Sequence, residues 1–166
     1  MPIQVSMKEH VFSFLQQAQI PFAVTEHAPV YSMADMEALG LDREGPIAKN
    51  LFIRDGKGKQ HFLITASNDT TIDLKALGEK LGAKKLGFAS ADRLETYLGV
   101  TAGCVSPFGV LNDSSNTVTV VFDSKLAGLP KIGVHPNVHN TTVWISFHDL
   151  CKAMELAGNE VRIVDL

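Results

Sequence analysis

The chain has 166 residues, 45% of them apolar and 20% charged, which is enough to build one hydrophobic core and argues against disorder. A formal net charge of -3 speaks against a protein that coats nucleic acid with a broad basic face, although a few local cations could still grip a nucleotide end. No apolar run approaches the ~20 residues of a bilayer span, the N-terminus lacks the layout of a signal peptide, and Cys104 and Cys151 are too far apart for a metal motif, so a cytoplasmic location is expected and no membrane role.

In chain order, Ser6 and Glu9 form a capping box ahead of a helix with Val11, Phe14, Leu15 and Ala18 on one face, stopped by Pro21. Phe22 to Glu26 alternates as a strand, and Ser32 caps a short helix over Met33 to Leu39 that ends at Gly40. Ala48 to Arg54 and His61 to Ala66 are apolar strands joined by the turn chemistry of Asp55 to Lys59, which predicts a hairpin. Asp73 caps a helix through Leu81, Leu86 to Ala89 is a short strand, and Ser90 caps a helix through Leu98. A glycine-rich loop spans Gly99 to Gly109. Strands follow at Thr117 to Phe122 and Thr141 to Ile145. Ser146 then caps a helix ended by Gly158, and Glu160 to Val164 closes the chain as a strand. This interleaving predicts a single domain over residues 1–166, α/β in class, with a mixed sheet flanked by helices.

Three segments carry more polar chemistry than a core requires. Lys49 and Asn50 stand at the entrance to an otherwise apolar strand, where a lysine is either a solvated strand end or a cation held at a pocket rim. The loop from Gly99 to Gly109, with three glycines and a proline, could point backbone N–H groups at a carbonyl or an oxyanion, or be an ordinary connection. The run from Gly133 to Thr142, with His135, His139 and Asn140, is dense in hydrogen-bonding side chains and is either functional or a self-satisfied polar turn. No third ligand is spaced for a metal beside the two histidines, so no metal and no cofactor is expected. There is no G-x-S-x-G elbow; Cys104 with His135 could form a thiolate pair, but a lone cysteine in an apolar loop is more often a packing residue.

Taken in order, these pieces resemble the YbaK/ProX family, free-standing relatives of the editing domain inserted in bacterial prolyl-tRNA synthetase. The matching runs are His27 to Ser32, Ala48 to Asp55, Asp73 to Leu77, Leu86 to Ser90, Leu98 to Gly109, Leu111 to Asp113, and His135-Pro136, covering the chain from about His10 to Val164. The resemblance is closest to the ProX-like branch. It implies a largely antiparallel, barrel-like core flanked by helices, and hydrolysis of a mischarged aminoacyl-tRNA, alanyl-tRNA(Pro) being the branch's suggestion.

By position, the resemblance implies that Lys49, Gly103 and His135 serve catalysis. It implies that Asn50, Cys104, Val105, Ser106, Pro107, His139 and Asn140 bind substrate. His139 departs from the family, which often has Asn there. The implied partners are the acceptor end of an aminoacyl-tRNA and a prolyl-tRNA synthetase, with no DNA; the oligomeric state stays open. Lys57, Lys59, Lys75, Lys80, Lys84 and Lys85 are either candidate contacts for tRNA phosphates or, as for most surface lysines, plain solubilising charges. The expected mechanism positions water and the substrate's own 2′-hydroxyl without a protein nucleophile. Two rivals remain: a non-catalytic binder of tRNA ends or aminoacyl ligands, and a hydrolase of small esters.

Overall fold

The computed structural model describes residues 7–166; the Ser6 half of the capping box lies outside them. Helix α1 (Met7–Gln17) buries Val11 and Leu15, four residues apart on one face. Strand β1 is Ala23–Glu26, and α2 (Met33–Ala38) starts at Ser32, whose hydroxyl accepts from the Asp35 N–H. The expected hairpin forms between β2 (Ala48–Arg54) and β3 (His61–Ser67), with Lys49 opposite Ala66 and Asn50 opposite Thr65. Helix α3 (Leu74–Leu81) is capped by Asp73, which accepts from two backbone N–H groups, and ends at Gly82.

Strand β4 is only Gly87–Phe88, and α4 is only Ala91–Arg93. The helix expected to reach Leu98 widens into a π-helical turn over Leu94–Leu98, which seats Leu94 and Leu98 in the core. It ends at Gly99, where a left-handed φ of 66° favours glycine. The glycine-rich segment is not an open loop. It folds as two 3-10 turns, Ala102–Cys104 and Pro107–Asn112, and neither Gly103 nor Gly109 adopts a left-handed φ. The chain continues as β5 (Val118–Asp123), β6 (Ile132–Val134), β7 (Thr141–Ile145), α5 (Phe147–Ala157, capped by Ser146) and β8 (Val161–Val164).

The expected mixed, largely antiparallel architecture is what forms, but as two sheets. The larger has the order β4-β2-β3-β5-β8 and the smaller β1-β7-β6. The pairs β3–β5 and β5–β8 run parallel and the others antiparallel. The short strand β6 was not expected from the sequence.

The main core lies on one face of the larger sheet, where Phe52, Leu63, Val120 and Phe122 meet Val11 and Leu15 of α1, Ile132 and Val143 of the smaller sheet, and Leu150 of α5. The opposite face packs Ile53, Ile64 and Val121 against Leu77 and Leu81 of α3. Both faces of the sheet are covered, which explains why β2, β3 and β5 read as continuous apolar runs. Under α2, a third cluster gathers Val30, Met36, Leu41, Ile47 and Trp144.

Besides this packing, the backbones of the two sheets are joined by an isolated parallel bridge between Ile47 and Gly133, with the Gly133 N–H donating to the Pro46 carbonyl at 2.8 Å. Gly133 is needed there because a Cβ would stand 2.8 Å from the Trp144 ring. This bridge fixes the site, since Lys49 and His135 each lie two residues beyond it along the chain.

Candidate functional site

A cleft of about 190 Å³ opens where β2 begins and β6 ends. Lys49 and Asn50 line it from β2, His135 from the residue after β6, Gly103 and Val105 from the Ala102–Cys104 turn and its end, and Tyr31 from the approach to α2. Five of the ten residues expected from the sequence thus meet in one place.

Each polar group in the cleft is held by a specific partner. The Lys49 ammonium donates to the Thr70 carbonyl. The Asn50 side-chain oxygen accepts from the Thr65 hydroxyl at 2.7 Å, which leaves the Asn50 amide nitrogen as a donor for a ligand. Nδ1 of His135 lies 3.0 Å from the Thr141 carbonyl, an acceptor only, so Nδ1 carries the proton and donates. Burial pushes the His135 pKa below its ordinary value, and His27 and His139 add to this, while the Thr141 bond opposes it. The ring is therefore neutral near pH 7 with a lone pair on Nε2, the state suited to accept a proton.

His27 stands behind it, with ring centres 6.3 Å apart. Its Nδ1 donates to the Ala28 carbonyl at 2.8 Å, and its Nε2 accepts from the Thr142 hydroxyl at 2.9 Å. The His27 and Val30 N–H groups donate to the Asn140 and His139 carbonyls, so the segment before α2 is laced to the histidine-rich turn. Tyr31, which sequence reasoning gave no role, is 70% exposed at the cleft mouth. Its ring lies 3.7 Å from where a Cβ on Gly103 would stand, and meets His139 edge-on at 4.9 Å between centres. Its position inside the run from His27 to Ser32 was the available signal.

The other expected residues lie elsewhere. Cys104, His139 and Asn140 wall a second hollow of about 270 Å³ beyond the Ala102–Cys104 turn. Asn140 accepts from the Thr141 hydroxyl, and the Thr101 hydroxyl approaches the Cys104 sulfur at 3.6 Å. Ser106 and Pro107 are buried, and the Ser106 hydroxyl caps the following turn by accepting from the Phe108 N–H at 3.1 Å. Several loop amides are also committed internally, Cys104 N–H to Thr101 and Gly109 N–H to Ser106. The oxyanion-binding backbone expected of this loop is thereby narrowed to its Gly103 and Val105 walls.

Among the described residues, no group of three or more His, Cys, Asp or Glu side chains is placed to hold a metal. No helix among them is long and apolar enough to cross a membrane. A wider groove of about 580 Å³ runs along α3 between Leu74 and Leu86, flanked by Lys75, Lys84 and Lys85. It holds none of the expected catalytic residues. Its Leu74 end follows Thr70, the Lys49 partner, by four residues, while at its other end the Lys84 carbonyl accepts from the Gly56 N–H in the turn between β2 and β3.

Residues 27–153 match the aminoacyl-tRNA editing domain family. The chain is 44% identical over 164 residues to the prolyl-tRNA editing protein ProX of Acetoanaerobium sticklandii, covering 99% of this chain and 100% of that one. It is 31% identical over 153 residues to the prolyl-tRNA synthetase associated domain-containing protein 1 of Danio rerio, covering 91% and 83%. Among solved structures, a candidate trans-editing enzyme for prolyl-tRNA synthetase superposes with a TM-score of 0.73 at 21% identity, covering 98% of each chain.

Proposed function

The chain belongs to the aminoacyl-tRNA editing domain family, and from that premise we propose that it is a trans-editing deacylase that hydrolyses the ester of mischarged tRNA, with alanyl-tRNA(Pro) as the substrate. The observation that carries this reading is the meeting of Lys49, Asn50, Gly103 and His135 in one small cleft that holds no cysteine. The one serine on its wall, Ser32, is occupied as a helix cap.

An aminoacyl ester is already activated, so positioning and electrostatics suffice for its hydrolysis. Lys49 anchors the terminal phosphate or ribose. The Asn50 amide donates to the ester or orients it. The Gly103 wall approaches the aminoacyl side chain and limits its size. Water attacks with the substrate 2′-hydroxyl beside it, and neutral His135 accepts a proton through Nε2 or shapes the pocket. Tyr31 offers the terminal base an aromatic face. The tRNA phosphates then pass along the α3 groove, where Lys75, Lys84 and Lys85 stand exposed. Prolyl-tRNA synthetase is the partner that would hand over the mischarged product.

The test is single-turnover hydrolysis of alanyl-tRNA(Pro), with prolyl-tRNA(Pro) and alanyl-tRNA(Ala) alongside, for wild type and Lys49→Ala. Loss of alanine from tRNA(Pro), slowed on the order of 10²-fold or more by the substitution, is expected. Binding of charged tRNA without hydrolysis would instead mark a non-catalytic module.

A further inference from the structure

Asp123 lies at the end of β5 with its side chain fully buried, and nothing in the mechanism above uses it. Among the described residues its carboxylate forms no direct ion pair. It is satisfied by three donors. Oδ2 accepts from the Ser67 N–H at 3.1 Å and from the Thr70 hydroxyl at 2.5 Å, and Oδ1 accepts from the Lys125 N–H at 3.1 Å. Two of these donors bracket the turn that leaves β3, and the third starts the turn that leaves β5. The same Thr70 turns its backbone carbonyl to the Lys49 ammonium. Thr70 is itself 2% exposed, so water does not compete for its hydroxyl.

We propose that Asp123 and Thr70 are positioning residues for the Lys49 ammonium: the carboxylate fixes the Ser67–Thr70 turn, and the turn presents the carbonyl that aims Lys49 into the cleft. A lysine on a four-carbon stem has many rotamers, and a single fixed carbonyl selects among them. A charged acceptor suits this task because its hydrogen bonds are stronger than those of a neutral one. Thr70 does both jobs with one residue, donating through its side chain while its main chain accepts. Neither residue lines the cleft. The proposal rests on the deacylase reading of Lys49 and assigns how that residue is held.

The informative variant is Thr70→Val, which removes the hydroxyl but keeps the branched shape and the backbone carbonyl; Asp123→Asn is the harsher partner and Thr70→Ser the conservative one. Two readouts are taken on each: kcat and KM for alanyl-tRNA(Pro), and the rate at which acetic anhydride modifies Lys49 relative to Lys75, followed by mass spectrometry. Thr70→Val is expected to lower kcat on the order of 10- to 100-fold while KM changes little, because a small misplacement of a catalytic group costs that much. Lys49 should acetylate faster than in wild type while Lys75 does not, and Thr70→Ser should restore both readouts. Wild-type kcat in Thr70→Val overturns the proposal. Lost activity with unchanged Lys49 reactivity overturns it too, since Thr70 would then be merely structural. Full activity in Lys49→Ala would remove the deacylase reading of Lys49 and this proposal together; an inactive Lys49→Ala beside a fully active Thr70→Val removes the proposal alone.

Discussion

Gly103→Ala separates fold from function at a single methyl group. The position adopts no left-handed φ, so alanine meets no backbone penalty there. An added Cβ would have only one neighbour within 4 Å, the Tyr31 ring at 3.7 Å, which is ordinary van der Waals contact. Folding stability should therefore stay within about 0.5 kcal/mol of wild type, as at a surface site. The methyl would nevertheless stand at the wall of the cleft of about 190 Å³ in which the proposed mechanism seats the aminoacyl side chain. Forcing a methylene-sized group into a filled site costs about 1–3 kcal/mol, which corresponds to roughly 5- to 150-fold in kcat/KM. The assay is single-turnover hydrolysis of alanyl- and glycyl-tRNA(Pro), with thermal unfolding on the same samples. The glycyl ester, which lacks the clashing methyl, should be affected least. Alanyl-tRNA hydrolysis within twofold of wild type, or an equal loss for both esters, would show that Gly103 does not face the amino acid.

The remaining expectations concern charge and pH. Because burial lowers the His135 pKa below 6.5, activity should stay level from pH 8 down to about 6.5 and decline only below it, and His135→Asn should abolish that acid limb; a limb at or above pH 6.5 contradicts the assignment. The sign for stability is the same. Between the folded pKa and 6.5 the unfolded chain holds a proton that the folded chain does not, so stability falls as pH is lowered through that window, and pH-dependent urea unfolding reads it. Lys84→Glu with Lys85→Glu should weaken tRNA binding and reduce the slope of log affinity against log salt by about 1.5, while hydrolysis of a minimal aminoacyl-adenosine ester is unchanged; an unaltered slope places the tRNA elsewhere. Cys104→Ala should retain deacylation, since Cys104 faces the second hollow rather than the cleft, and an inactive but folded variant would point to a thiolate. Cys151, whose thiol is pushed up to about 11 by burial and by Glu155, should resist alkylation at pH 8, as mass spectrometry after iodoacetamide would record.

Much of the fold was legible because its signals are local. Ser32, Asp73, Ser90 and Ser146 each cap the helix expected of them, since a cap is decided within four residues. The β2–β3 hairpin follows from turn residues between two apolar runs. Strand β6 was missed because three residues are too few to show a period, and its place is set by a bridge to Ile47, far away in sequence. The division into two sheets is a tertiary outcome of the same kind. In the site, Lys49, Gly103 and His135 lie in segments that the residues alone marked as unusually polar or glycine-rich, and the resemblance gave them their expected roles, whereas Ser106 reads as a candidate ligand but is a buried cap. The Asp123–Thr70 contact was invisible, because an aspartate closing a strand looks like any solvated strand end until the packing shows it fully buried.

The Asp123 contact also bears on when the protein becomes competent as it is made. The β2–β3 hairpin closes on nearby residues and can form early, but Asp123 is 53 residues beyond Thr70 and reaches it only after β5 has docked parallel to β3. Parallel pairing across such a separation pays its loop-closure entropy before any contact rewards it, and is correspondingly slow. Synthesis proceeds from the N-terminus, so Lys49 emerges from the ribosome well before the residue that steadies it. A nascent chain halted before β5 therefore carries the lysine of the cleft without the means to aim it.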